Sequence, residues 1–120
     1  AHICYYSDMP TIGELQTFKA DFFRALGHPV RIRLVEELSQ GERSVAELQQ
    51  ALAIPQPLVS QQLAVLRGRE LVSTRKSGAN VVYALRDPLL ADLLAVARRI
   101  FDNRLTNTTA MLRALRREAR

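Results

Sequence analysis

The chain has 120 residues, is 48% hydrophobic and carries a net charge of +5, from 17 Lys and Arg against 12 Asp and Glu. That length predicts one domain spanning 1–120, large enough for a core and small enough to gain from dimerisation, and the apolar content excludes a disordered chain. No apolar run reaches a membrane span and no charged leader with an apolar core opens the sequence, so a cytoplasmic protein without a membrane partner is expected.

A pI near 10.1 points to a nucleic-acid partner. Lys19 and Lys76 are the only lysines, and arginine is the cation suited to bidentate phosphate or guanine contacts. Cys4 is the single cysteine, which excludes an intrachain disulfide and fits a reducing compartment.

After an N-terminal arm of residues 1–10, residues 11–26 predict an amphipathic helix, with Leu15, Phe18, Phe22, Phe23 and Leu26 at spacings of three and four. Gly27 ends it, and Pro29 opens a second helix that stops at Gly41. Residues 44–69 then predict a helix-turn-helix. Ser44 and Glu47 have the spacing of a capping box, and Val45, Leu48 and Leu52 make one buried stripe. Pro55 drives Ile54 out of helical geometry, so this helix stops near Ala53. Gln56 is read as the cap of the next helix, with Pro57 in its first turn.

On that second helix Val59, Leu63 and Leu66 share the core face, and Gln61 lies almost opposite. A glutamine amide both donates and accepts, as adenine in the major groove requires, so Gln61 is the leading candidate for a base contact. Pro57 lies beside it, Ser60 sits on the shoulder, Gln56 at the groove-floor end, and Gln62 points back toward the core as a weaker candidate. The competing reading of these glutamines is a solvated helix surface; the capped partner helix before them favours the groove.

The period then changes. Leu71–Arg75 and Ala79–Leu85 read as strands, with Lys76-Ser77-Gly78 as the turn and a wing spanning 71–85. Five basic residues and one acid, Glu70, lie between Arg67 and Arg86, so Arg67, Arg75, Lys76 and Asn80 are candidates for contact with a phosphate backbone or the minor groove.

From Pro88, with Asp87 as cap, a long helix carries Leu89, Leu90, Leu93, Leu94, Val96, Ala97, Ile100, Phe101 and Leu105. They sweep about half its circumference, more than the ~100° that packing on one domain needs. A second copy is the simplest cover for the surplus. Region 87–115 is therefore assigned to dimerisation, with Leu15, Phe18, Phe22, Leu89, Leu93, Val96, Ile100 and Phe101 as interface candidates. Beyond Thr106 the sequence fits either an extension of this helix or a separate one, with Met111, Leu112 and Leu115 inside.

The stretches FFRALGHPVRIRLVEEL, SVAEL and LVSQQLAVLR, followed by Val82-Tyr83-Ala84-Leu85, occur in this order and spacing. In them the chain resembles the ArsR/SmtB family of winged helix-turn-helix repressors, from about Thr17 to Phe101. The resemblance implies a mostly helical fold with a β-hairpin wing, ordered α-α-α-α-β-β-α and dimerising through its terminal helices. It also implies a double-stranded, pseudo-palindromic DNA operator, and repression relieved by an inducer.

The chain departs from the family in three places. Glu70 stands where the family usually has glycine, which implies a left-handed residue or a different turn. The helix where metal sensors carry a cysteine cluster has neither Cys nor His here. The positions matching the other metal site are Asp87, Leu89, Ile100 and Asn103, of which only Asp87 is a good ligand, so neither familiar site is expected to bind metal. His2 and Cys4 offer two ligands where a soft metal usually takes three or four. No cofactor is expected. Cys4 is kept as a candidate redox thiol, giving a redox-responsive repressor as one alternative. A winged-helix interaction module without specific DNA binding is the other. No phosphate loop or nucleophile set supports an enzyme.

Overall fold

A computed structural model describes residues 13–105 and 109–119. The chain divides into two compact units, residues 1–86 and 87–120.

The first unit opens with α1 (Glu14–Leu26) and α2 (Pro29–Leu38). His28 caps α2, its Nδ1 accepting from the Val30 N–H at 3.1 Å, and Pro29 occupies the first turn, where a missing N–H costs nothing. The short strand β1 (Arg43–Ser44) leads into α3 (Val45–Leu52), and α4 (Gln56–Gly68) follows. The capping box at α3 is formed as its spacing predicts. The Ser44 hydroxyl accepts from the Glu47 N–H at 3.2 Å, and the Glu47 carboxylate accepts from the Ser44 N–H at 2.8 Å. Those bonds favour the charged acid and hold the Glu47 carboxyl below its usual range.

The expected helix-turn-helix is present. Helix α3 ends at Leu52, and Ala53 takes a left-handed φ of 56°. One correction concerns the next cap. Pro55, not Gln56, is the N-cap of α4, and its carbonyl accepts from the Leu58 and Val59 N–H groups at 3.0 and 3.2 Å. Gln56 is already helical.

The core of this unit lies where α2, α3 and α4 meet. Leu34, Val35, Leu48, Val59, Leu63 and Leu66 are fully enclosed. Burying such a side chain contributes about 1.5–3 kcal/mol, and three of the six lie on α4, so the outward face of that helix is set by its packing.

Helix α4 is followed by Glu70 at φ 60°, the left-handed conformation that a usual glycine position anticipates. Strands β2 (Val72–Ser77) and β3 (Asn80–Leu85) then form the hairpin. The turn is corrected from Lys76-Ser77-Gly78 to Gly78-Ala79, because Ser77 still pairs with Asn80. Gly78 at φ 64° is the one left-handed residue of this pair, the pattern of a type II′ turn whose twist matches that of the strands. β1 adds a third strand that the sequence did not reveal, giving the antiparallel order β1-β3-β2 with Arg43 opposite Tyr83 and Ser44 opposite Val82. Ser44 does both jobs at once, since an N-cap backbone is extended.

The second unit contains α5 (Leu89–Arg104) and α6 (Thr109–Glu118), so the terminal region forms two helices and not one extension. Pro88, not Asp87, is the N-cap of α5, and the Asp87 side chain, one residue earlier, accepts from the Leu89 N–H at 2.9 Å. Between the helices Arg116 Nε donates to Asp102 at 3.1 Å. None of the described helices is long and apolar enough to cross a membrane.

Candidate nucleic-acid interface

Helix α4 presents two different faces. Val59, Leu63 and Leu66 face inward, whereas Pro57, Gln61, Ala64 and Arg67 are exposed. Gln61 therefore stands clear of the domain on the second helix of a helix-turn-helix, where its amide is free to meet a base edge. At the start of the helix the Gln56 amide donates to the Ser60 hydroxyl at 2.7 Å. This pair shares one side of the helix, as residues four apart must. A hydroxyl that accepts one bond still has its own proton to give, so Ser60 keeps a donor for a phosphate or base.

In the wing, alternate residues point to opposite sides of the sheet. Arg75, Ser77, Asn80 and Val82 lie on one face and Lys76 and Val81 on the other, since Arg75 pairs with Val82, Lys76 with Val81 and Ser77 with Asn80. Arg75 and Lys76, neighbours in sequence, thus cannot address the same surface. Both are exposed, as is Asn80. Arg75 is committed elsewhere: its Nε and Nη2 donate to the two oxygens of Glu42 at 2.6 and 2.7 Å. The pairing holds the Glu42 carboxyl below its ordinary range and pushes the Arg75 guanidinium further up.

This arrangement has counterparts among known proteins. Residues 28–74, from the start of α2 into β2, match the family described as bacterial regulatory protein, arsR family. The HTH-type transcriptional regulator Rv0081 of Mycobacterium tuberculosis is 41% identical over 103 residues, covering 85% of this chain and 90% of that protein. The chain belongs to the arsR family of bacterial regulatory proteins. The crystal structure of Rv0081 superposes with a TM-score of 0.73 at 39% identity, over 81% of this chain and 98% of that one. The transcriptional repressor BigR of Xylella fastidiosa superposes with a TM-score of 0.64 at 43% identity, over 68% and 84% of the two chains. A homodimeric winged helix-turn-helix DNA-binding domain, Mb0332 of Mycobacterium bovis, reaches 0.71 at 25% identity, over 82% and 95%. The winged helix-turn-helix fold expected from the sequence is the fold observed.

Within the family frame, one predicted contact needs correction. Gln62, the weaker candidate for DNA contact in the sequence, is only 8% exposed, and its Oε1 accepts from Arg31 Nη1 at 2.8 Å. The same guanidinium donates through Nε to the Ala25 carbonyl at 2.6 Å and through Nη2 to the Arg24 carbonyl at 3.4 Å. A buried amide must find a partner, and Gln62 finds one on α2. Arg31 thereby ties the last turn of α1 to the recognition helix.

Arg31 and Glu42 were both missed from sequence. The signal for Arg31 was Gln62 itself, turned toward an apolar face and needing a partner. Glu42 gave no signal.

Of the proposed dimer residues on α1, Leu15 and Phe18 are exposed, while Phe22 is half-buried and stacks edge-on against Phe23 at 5.2 Å. On α5, Leu89, Val96, Ile100 and Phe101 are exposed and Leu93 is half-buried. The Asp87 carboxylate is engaged by the Leu89 N–H, and among the described residues no three His, Cys, Asp or Glu side chains gather. His2, Cys4 and the arm 1–10 lie outside the described residues.

Proposed function

We infer that this chain is a DNA-binding transcriptional repressor that works as a homodimer on a pseudo-palindromic operator. The observation that carries the reading is Gln61, exposed on a recognition helix whose opposite side is anchored by fully enclosed Val59, Leu63 and Leu66. The repressor function named for BigR and the homodimer named for Mb0332 support it. Gln61 reads a base, with Gln56, Pro57 and Ser60 beside it, while Arg67, Lys76 and Asn80 meet the phosphates. The two units act as one regulator, region 87–115 holding the dimer together through Leu89, Leu93, Val96, Ile100 and Phe101 and α1 adding Leu15, Phe18 and Phe22. An inducer acts by binding the DNA-incompetent state preferentially. Leu89 and Ile100 offer no donor atom, so the inducer is not a metal held at those family positions.

The test is selection of a cognate site from randomised duplexes, followed by binding of variants. Gln61→Ala should lose about 1–3 kcal/mol on the cognate site and little on random DNA. Lys76→Ala should weaken both alike and reduce the salt slope by about one. Equal losses on both duplexes for the Gln61 variant would remove it as a base reader, and a wild type that selects no sequence would end the specific-regulator reading.

A further inference from the structure

The wing holds an arginine whose fork is already filled. Arg75 on β2 reaches across β3 to Glu42, which lies just before β1 at the other edge of the sheet. Both oxygens of the carboxylate are used, at 2.6 and 2.7 Å, the two-pronged geometry by which arginine also takes a phosphate. The pair is open to water, with the Arg75 and Glu42 side chains 58% and 42% exposed. It therefore contributes little to stability, yet it cancels one positive charge on a basic hairpin. We propose that Glu42 is an internal competitor for DNA: its carboxylate occupies the Arg75 fork as a backbone phosphate would, and so lowers the affinity of the wing for any duplex.

The inference rests on the DNA-binding reading of this interface. Engagement of Arg75 by a phosphate requires the Glu42 pair to open, and the released carboxylate then lies close to the polyanion. Both effects oppose binding and neither depends on base sequence. The restraint lowers affinity for random DNA and operator alike, so it sets how tightly the protein holds any duplex and leaves discrimination to the base contacts. Lys76, on the other face of the hairpin, is outside this competition and is a phosphate contact of a different kind.

The measurement is fluorescence anisotropy of the full chain with a random-sequence duplex across a salt series. Glu42→Gln keeps the shape and removes the charge. It should bind roughly five- to tenfold tighter near 0.1 M salt and steepen the salt slope by about 0.9, the signature of one further phosphate neutralised. Arg75→Gln alone should stay within about twofold of wild type, because that arginine is already engaged. The double variant Glu42→Gln/Arg75→Gln should lose the gain. A circular-dichroism melt confirms that each variant is folded. Unchanged or weaker binding by Glu42→Gln overturns the competitor; a gain that persists in the double variant shows that it does not run through the Arg75 fork, and an Arg75→Gln loss as large as the Glu42→Gln gain shows a general charge effect without the clamp. Wild type that binds no duplex in a salt-dependent way overturns the DNA reading itself, and this inference with it.

Discussion

Replacing Gln62 with Leu probes the link between α1 and the recognition helix. The change shortens the side chain by one atom, removes its amide and leaves Arg31 Nη1, which donates to Gln62 at 2.8 Å, without its acceptor. A hydrogen bond to a charged group contributes about 1.5–3 kcal/mol, and the added apolar surface of leucine returns part of that. The net loss should be about 1–2 kcal/mol, a fall in Tm of roughly 4–16 °C for a unit of this size. Arg31→Met should cost more, since it also removes the bonds to the Ala25 and Arg24 carbonyls and strands a buried amide. The double variant should be less destabilised than the sum of the two, because a pair replaced on both sides leaves less unmet. Thermal melts at fixed protein concentration read this out, the concentration being held because association shifts Tm. Salt slopes of DNA binding should not move, since neither side chain meets a phosphate. An unchanged Tm together with lost sequence discrimination in Gln62→Leu would show that the glutamine reads the groove, and would refute the packing account.

Two further substitutions address the backbone and the assembly. Glu70→Gly should raise Tm by a few degrees, because a side chain at φ 60° costs about 1 kcal/mol or more and the exposed Arg86 pair at 3.6 Å returns little; a lower Tm would show that the turn is not strained. Leu93→Glu with Ile100→Glu should convert a sedimenting dimer to a monomer, and a wild type that is already monomeric at micromolar concentration would remove the dimer proposal.

Most of the fold could be read from the sequence because its signals are local. The Ser44–Glu47 box, the spacing of Val59, Leu63 and Leu66, and Pro29 in a first turn each depend on residues within a few positions. They appear in the structure as bonds and buried side chains at those same positions. The errors at element ends share another cause. Lys76-Ser77-Gly78 reads well as a turn, but pairing of Ser77 with Asn80 extends the strand and shifts the turn onto Gly78-Ala79. The choice between those turns is made by cross-strand bonds, which no window of a few residues contains. β1 was hidden for the same reason, since two extended residues become a strand only when Tyr83 and Val82 arrive beside them.

The candidate interface divides along the same line. Exposure of Gln61 follows from helical period alone, so that assignment needed nothing from elsewhere in the chain. What its neighbours do depends on contacts far away in sequence: Arg31 meets Gln62 across 31 positions, and Glu42 meets Arg75 across 33. Polar groups obey satisfaction more than periodicity. A glutamine beside a core face and an arginine in a basic hairpin can each be expected to have a partner, but the identity of that partner is a product of the fold. Both contacts bear on the same surface in opposite ways. On the proposed reading, Arg31 holds the helix that presents Gln61 and so favours base contacts, while Glu42 engages a cation of the wing and so disfavours backbone contacts. Discrimination is a difference between those affinities, not the strength of either alone. On the proposed DNA-binding reading, Arg31 therefore bears on discrimination by holding the helix that carries Gln61, whereas Glu42 lowers affinity for every duplex alike.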